Sequence, residues 1–437
     1  MMLSDEFKEF CSVITPDENE LERWEKRVKR ITKKLNKIYY DSENDEDNSF
    51  IVGSVGRSTS LNKLSDYDVI FDLPKEVYDK YDSYETNGQS ALLQKIKSHI
   101  KEIHPKTKIR GDGQVVVIEF SDGAIELVPG FQQVNNSFKY PDSNEGGKWK
   151  ITNPLPEIST CIQYDLDTKQ NFSNFSRILR SWKNTVGFKF KGLLIDTMVF
   201  DFFEENPDDQ ANSFNEYFNI LKNLFKYLKE QDSDRSYWYA LGSKQQITND
   251  DEGTFIRKAK KAYNTLDNYD SNKDDINELL RNLLGKDFPK QESLESTAIF
   301  EYVDYTDNEE FIENKFAVNI QYNLNIDCTV EQNGWRPTRL REMIKKRQIL
   351  KKNKKLTFYV SFDDFPEYIN RNVQYFWKVK NEGHEAKKRD MTRGEITKGL
   401  NHWEESTDFK GDHYVECYAI VDNLVIAKSR INVPIKT

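Results

Sequence analysis

The stretch Gly53–Pro74, GSVGRSTSLNKLSDYDVIFDLP, decides how the rest of the chain is read. Residues 66–73 alternate as a β-strand does and stop at Pro74. Alternate strand residues point to one face, so Asp66 and Asp68 project together. Two carboxylates held that close repel each other, and keeping both ionised calls for a cation between them. Hard divalent ions such as Mg2+ favour carboxylate oxygens and keep open positions for phosphate. Upstream, Gly53 lets the backbone approach a ligand, and the Ser54 hydroxyl with neighbouring N–H groups can hold phosphate oxygens. The polar loop 55–65 adds Gly56, Arg57, Ser58 and Thr59.

A third acid lies further on. QVVVIEF at 114–120 and AIELVP at 124–129 are apolar runs separated by Ser-Asp-Gly, a hairpin signal. Ala124, Glu126 and Val128 share one face of the second run, while Ile125 and Leu127 pack on the other. A carboxylate in such surroundings is costly unless paired or metal-bound. Three carboxylates on adjacent strands, Asp66, Asp68 and Glu126, can hold two metal ions about 3.5–4 Å apart.

Working outward, residues 17–40 predict a helix with Leu21, Trp24, Val28, Ile31, Leu35 and Ile38 on one face. Its other face is basic and includes Arg27, Arg30, Lys33, Lys34 and Lys37, either a solvated surface or a nucleic-acid contact. A further helix is expected over 91–103. The first 150 residues therefore read as mixed α/β. From about 168 to 290 the apolar spacing turns helical. There Arg177, Arg180 and Lys183 recur every three residues on one helix face, as solvated charges or as triphosphate contacts. Residues 311–333 return to period two, a basic run follows at 344–355, and 356–437 read as all-β. The expected domains are 1–165 (core with N-terminal helix), 166–310 (helical), 311–355 (strands and basic linker) and 356–437 (β-rich). No period of 20–50 residues repeats.

Composition sets the outer limits. The chain has 437 residues, 37% hydrophobic and 31% charged, with 27 Phe, 22 Tyr and 7 Trp to build cores. Whole-chain disorder is therefore excluded. No apolar run is long enough to span a membrane, and MMLSDEFKEF lacks the pattern of a secretion signal, so no membrane association is expected. Cys11, Cys161, Cys328 and Cys417 are too dispersed for a zinc site and read as reduced thiols of a cytoplasmic protein. A net charge of −9 argues against a general nucleic-acid coat protein.

GSVGRSTSLNKLSDYDVIFDL followed by IELVPGF resembles the polymerase-β-type nucleotidyltransferases, and within them the bacterial cGAS/DncV-like nucleotidyltransferases (CD-NTases). GGKWKITNP, RILRSWKN and GLLIDTMVFDFF continue the resemblance over roughly residues 15–290. The C-terminal part, with FWKVKNEGHEA, RGEI at 393–396, EESTDFKGDHYVECYAIV and VIAKSRINVPI, is similar to the AGS-C sensor domain often fused to these enzymes. Glu126 stands where many relatives carry Asp. The resemblance implies an α+β fold: a polymerase-β-type core sheet, a packed helical domain and a C-terminal all-β sensor. It implies that nucleoside triphosphates (NTPs), ATP and/or GTP among them, are joined into a cyclic di- or trinucleotide second messenger with release of pyrophosphate, in anti-phage defence. Asp66, Asp68 and Glu126 would hold two Mg2+ or Mn2+ ions. Gly53, Ser54, Arg57, Arg180 and Lys183 would contact nucleotide. An activating phage RNA and a downstream cyclic-nucleotide effector are the implied partners. Transfer to an RNA end or a protein, or synthesis of a linear oligonucleotide, would use the same chemistry, and a non-catalytic binder is disfavoured by the intact acid trio. His413 and Trp377 are either core residues or ligand contacts of the C-terminal domain.

Overall fold

The computed structural model describes residues 2–290 and 309–435, except 272–274, 332–336, 347–349, 351–353, 382–385, 387–390 and 408–410. It divides into two compact units, Met1–Thr185 with Phe190–Gln291, and Val186–Lys189 with Glu292–Thr437.

The first unit is built on one mixed sheet. Its strands are β1 (Ser49–Ile51), β2 (Asp66–Asp72), β3 (Lys108–Asp112), β4 (Val115–Phe120) and β5 (Gly123–Gln132), in spatial order β1-β2-β5-β4-β3. The far end of β5 pairs with β6 (Phe138–Asp142), which pairs with β7 (Lys148–Thr152). The expected hairpin is the antiparallel β4/β5 pair. β2 and β5 are parallel, and their register sets Asp66 against Ala124 and Asp68 against Glu126.

One sheet face is covered by helices. Helix α1 spans Leu3–Ile14, α2 Glu18–Tyr39, α3 the single turn Gly53–Gly56, α4 Lys75–Asp82 and α5 Gly88–Ile103. Helix α2 starts where Asp17 accepts the Glu20 N–H at 2.7 Å, satisfying one of the free donors of the first turn. Its Trp24, Val28, Ile31 and Leu35 join Leu92, Leu93 and Ile96 of α5 against Tyr67, Val69, Phe71, Ile125 and Leu127. Each such buried aliphatic contributes about 1.5–3 kcal/mol. Trp24→Ala would leave a void costing about 3–5 kcal/mol. The other face carries the acids.

The helices that follow belong to the same unit: α6 (Pro154–Asp167), α7 (Asn171–Val186), α8 (Gly192–Glu205), α9 (Tyr217–Lys229), α10 (Thr254–Asp267) and α11 (Ile276–Leu284), with a small hairpin of β8 (Tyr237–Tyr239) and β9 (Gln246–Thr248). The expected helices over 168–290 are thus present. The boundary expected at 165 falls inside this unit, because α7 and α8 are tied by buried ion pairs to the loop that follows α3. Phe7 and Phe10 of α1 meet Phe288 at 5.2 Å, which also draws the N-terminus onto the helices.

The second unit is sheet-rich, as expected. Strands β10 (Ala317–Val318), β14 (Gln374–Asn381), β15 (Arg393–Gly399), β17 (Gly411–Val421) and β18 (Leu424–Ile435) form one sheet in order β10-β18-β17-β14-β15. Strands β11 (Leu324–Glu331), β12 (Thr338–Arg339), β13 (Lys355–Asp363) and β16 (His402–Ser406) form the other, in order β12-β11-β13-β16. Both sheets feed one core: Ile326, Cys328 and Phe358 from the second, Trp377, Val415 and Cys417 from the first. The β17/β18 hairpin turns at Asp422 and Asn423, both with positive φ, the geometry that Asp-Asn tolerates. Trp377 lies in this core and its indole N–H donates to the Leu400 carbonyl at 2.8 Å. The His413 ring lies 2.8 Å from the Asn381 side-chain oxygen. The basic run at 344–355 lies partly outside the described residues, at 347–349 and 351–353, as do Gly383 and residues 408–410 of the quoted sensor motifs. All four cysteines are free and buried.

Candidate active site

The acids stand together because of strand register. In β2, Tyr67, Val69 and Phe71 face the helix-covered core, so Asp66 and Asp68 face the other way. In β5, Ile125 and Leu127 do the same and turn Glu126 outward beside Asp68. Further along this face Ile70 and Val128 pack with Val52 and Phe138, so the acids end an apolar floor.

Gly53 is in contact with Asp68. Its φ is +62°, and a Cβ there would stand 1.8 Å from Asp68 Oδ2 and 2.6 Å from its Cγ. No side chain fits, which explains glycine at the start of the Gly53–Gly56 turn. The Val52 N–H donates to the Asp68 carbonyl at 3.0 Å and fixes the turn to β2.

The electrostatics follow from this crowding. Asp68 is pushed up to about 7, by burial first and then by the Asp66 charge, with Arg57 opposing. Glu126 is pushed up to about 8 by burial and by Asp68 and Asp66, with Arg110 opposing. The Ser65 hydroxyl donates to Asp66. Two strands beyond β5, Arg110 of β3 donates from Nε to Glu119 of β4 at 2.7 Å, and Lys108 lies 3.3 Å from the same carboxylate. Among the described residues no three acidic, His or Cys side chains are closed into a ready metal cage. The donor set nevertheless suits a hard divalent cation: carboxylate oxygens of like charge, crowded on one face, with backbone close at Gly53.

The three cations of α7 part company. Arg177 donates to the carbonyls of Ser58 at 2.7 Å and Ser60 at 3.0 Å. Arg180 makes a two-pronged pair with Asp196 of α8, at 2.7 and 2.9 Å. Lys183, buried, feels the Asp66 charge; burial and Arg180 outweigh it and bring the ammonium down to about 7. Arg57 also donates to Asp196, at 2.8 Å, and the Thr59 hydroxyl does so at 3.0 Å. Arg57 and Arg180, expected at the nucleotide, therefore have their guanidiniums engaged by a buried aspartate, while Lys183 is the α7 cation coupled to the acid face. Asp196 was not singled out in the sequence. Its signal is an acid set among apolar residues in the helix GLLIDTMVFDFF, which carries Asp201 as its only other charge.

The basic face of α2 is charge-compensated. Arg27 pairs with Asp122 at 2.8 Å, Lys33 with Glu43 at 3.2 Å, Lys34 with Glu102 at 2.7 Å and Lys37 with Asp41 at 3.0 Å, while Arg30 donates to the Ile103 carbonyl at 2.9 Å. The acidic segment after the helix, DSENDED at 41–47, signals two of these pairs, those of Lys33 and Lys37. Asp72 accepts the Gln132 N–H at 2.7 Å, Trp149 packs on Tyr78 and Phe131, and Trp182 is in the core with Phe225.

Comparison with known proteins agrees with this architecture. The Second Messenger Oligonucleotide or Dinucleotide Synthetase (SMODS) family matches residues 1–164, and the Adenylyl/Guanylyl and SMODS C-terminal sensor family (AGS-C) matches residues 306–436. Among solved structures, the chain is similar to E. coli MS115-1 CdnC in a complex with HORMA-deltaN, at 15% identity and a TM-score of 0.50, covering 65% of this chain and 98% of that one. It is also similar to Elizabethkingia meningoseptica CdnE, a cyclic dinucleotide synthase solved with GTP and Apcpp, at 14% identity and a TM-score of 0.41, covering 58% of this chain and 99% of that one. No curated protein sequence is matched. The chain belongs to the bacterial cGAS/DncV-like nucleotidyltransferases, with a SMODS synthetase domain followed by an AGS-C sensor domain. It is a nucleotidyltransferase. Among the described residues no helix is long and apolar enough to cross a membrane.

Proposed function

We propose that the protein joins nucleoside triphosphates into a cyclic di- or trinucleotide second messenger, releasing pyrophosphate, and that it does so in anti-phage signalling. The observation that carries this reading is the acid row on one sheet face, Asp66 and Asp68 on β2 with Glu126 beside Asp68 on β5, over Gly53. Bound Mg2+ or Mn2+, two ions held by these three acids, supplies charge neutralisation for the triphosphate and a lowered pKa for the acceptor hydroxyl. Glu126 lies on the acceptor side in this reading, and its carboxylate orients the attacking hydroxyl. Gly53 and Ser54 hold the donor triphosphate from the backbone side. Lys183 faces it from α7. Positioning and charge complementarity, which dominate phosphoryl-transfer catalysis, are what these residues supply. Arg57 and Arg180 act through Asp196 rather than on phosphate, consistent with their buried pairing. Arg27, Lys33, Lys34 and Lys37 are already matched by carboxylates and Arg30 is engaged by the Ile103 carbonyl, so this reading assigns no RNA contact to these five.

The test is product analysis. Purified protein with Mg2+ or Mn2+ and the four NTPs is expected to yield a small, phosphatase-resistant product whose mass identifies ring size and bases. Asp66→Ala with Asp68→Ala is expected to abolish pyrophosphate release, by about a thousandfold or more, with the fold retained by circular dichroism. A phosphatase-sensitive product would instead identify a linear oligonucleotide synthase. Synthesis that survives the double substitution would overturn the assignment of the acids.

A further inference from the structure

Asp196 is fully buried on α8 and receives four hydrogen bonds from three side chains on two other segments. Two of those side chains, Arg57 and Thr59, belong to the loop that follows the Gly53–Gly56 turn. That loop is bonded back to the turn: the Thr59 N–H donates to the Ser54 carbonyl at 2.9 Å and the Ser58 N–H to the Val55 carbonyl at 3.0 Å. The third, Arg180, lies one helical turn before Lys183 on α7, and it also donates to the Gly192 carbonyl at 3.1 Å and to Ser176 at 3.1 Å. Arg177 clamps the same loop from α7 through the Ser58 and Ser60 carbonyls. A single carboxylate thus joins the segment bearing Ser54 to the helix bearing Lys183. A buried carboxylate shared by two guanidiniums has a narrowly set geometry, because its charge-assisted hydrogen bonds are directional and breaking one leaves a charge buried without its partner.

We propose that Asp196 is a positioning residue for nucleotidyl transfer: through Arg57, Thr59 and Arg180 it sets the spacing between the Gly53–Ser54 turn and Lys183, and so the seat of the donor triphosphate. This rests on the reading that Ser54 and Lys183 hold that triphosphate. A misplacement of about 1 Å in such a seat costs on the order of a hundredfold in rate. Asp196 touches neither substrate nor the acid face, so its effect is transmitted by geometry. Asp196→Glu separates this role from charge compensation. It keeps the anion but lengthens the side chain by one methylene.

The experiment uses the full chain and three backgrounds: Asp196→Glu; Asp196→Asn; and Arg57→Met with Arg180→Met and Asp196→Leu, which replaces the buried ions by apolar groups of similar size and guards against loss of the fold. Melting temperature reports folding. Calorimetry with each of the four NTPs and Mg2+, and saturation kinetics of pyrophosphate release, report the seat. The expected result is a folded Asp196→Glu variant whose dissociation constant and KM for the tightest-binding triphosphate rise tenfold or more. Combined with Lys183→Met, it should weaken binding no further than Lys183→Met alone, because both act on one seat. Wild-type affinity and KM in Asp196→Glu and in the triple variant would overturn the proposal, as would effects that add fully to those of Lys183→Met. Ser54→Ala and Lys183→Met variants that bind triphosphate normally would overturn the underlying reading of the donor seat, and Asp66→Ala with Asp68→Ala tests the chemistry independently of Asp196.

Discussion

Two groups of charge in the first unit solve the same problem in opposite ways. On the sheet face, Asp66, Asp68 and Glu126 crowd like charges, and Asp68 and Glu126 are held well above the usual carboxylate range. At the α7–α8 junction, Asp196 is shut off from solvent more completely than those acids, yet Arg180 and Arg57 keep it below its ordinary value against the cost of burial. A compensated buried acid is scaffold, fixed by partners the chain supplies. A cluster whose neighbouring cations still leave two acids raised is a place prepared for something the chain does not supply. The difference lies in the neighbours, not in the acids themselves.

The comparison can be broken first at its compensated end. Asp196→Ala removes one partner of a buried network and leaves two guanidiniums facing each other, which is expected to cost about 3–5 kcal/mol. Urea or thermal unfolding measures it, and a loss below about 1 kcal/mol would remove the distinction drawn between the two sites. At the crowded end the sign reverses. Raised carboxylate pKa values mean that the folded state binds more protons than the unfolded one above about pH 4, so stability without divalent ions falls as pH rises toward the folded values of about 7 and about 8. Lys183, lowered to about 7, pulls the other way only above that pH. Melting temperature in chelator is therefore expected to drop from pH 5 to pH 7, and Asp68→Asn or Glu126→Gln should flatten the slope and raise the value at pH 7. His99 and His104, lowered by burial, pull the other way in this window, so the test is the difference between profiles: a slope that Asp68→Asn and Glu126→Gln leave unchanged would contradict the crowding. The smallest effect belongs to the exposed pairs of α2. Lys33→Ala or Lys37→Ala, each breaking one solvent-facing pair, is expected to change stability by less than about 1 kcal/mol, which denaturant midpoints at low and high salt would check.

The same contrast explains what the sequence could tell. The acid row was legible because period-two spacing fixes a face within a strand, and Glu126 stood out as a lone acid among apolar neighbours. Its placement beside Asp68 follows from parallel pairing of strands far apart in sequence, which the resemblance supplied and spacing did not. The α2 cations looked like an open basic surface because their partners come from other segments, Asp122, Glu102 and the loop at 41–46. Asp196 was invisible for the same reason: its meaning depends on Arg57 and Arg180, which one-dimensional reading had assigned to the nucleotide. The β character of residues 356–437 was readable from alternation, but the division of the strands into two sheets was not. The single unit formed by core and helices was not, because buried ion pairs rather than composition decide where that division falls.

The parallel alignment of β2 with β5 also bears on when the enzyme becomes competent. A growing polypeptide exposes the Asp66–Asp68 couple early, yet its third acid arrives only with the strand beyond the β3–β4 hairpin, and the α8 anchor emerges later still. Non-local strand partnerships form slowly, after the entropy of closing the intervening loop has been met. Nucleotidyl transfer is thereby expected to wait until the ribosome has delivered the chain through α8.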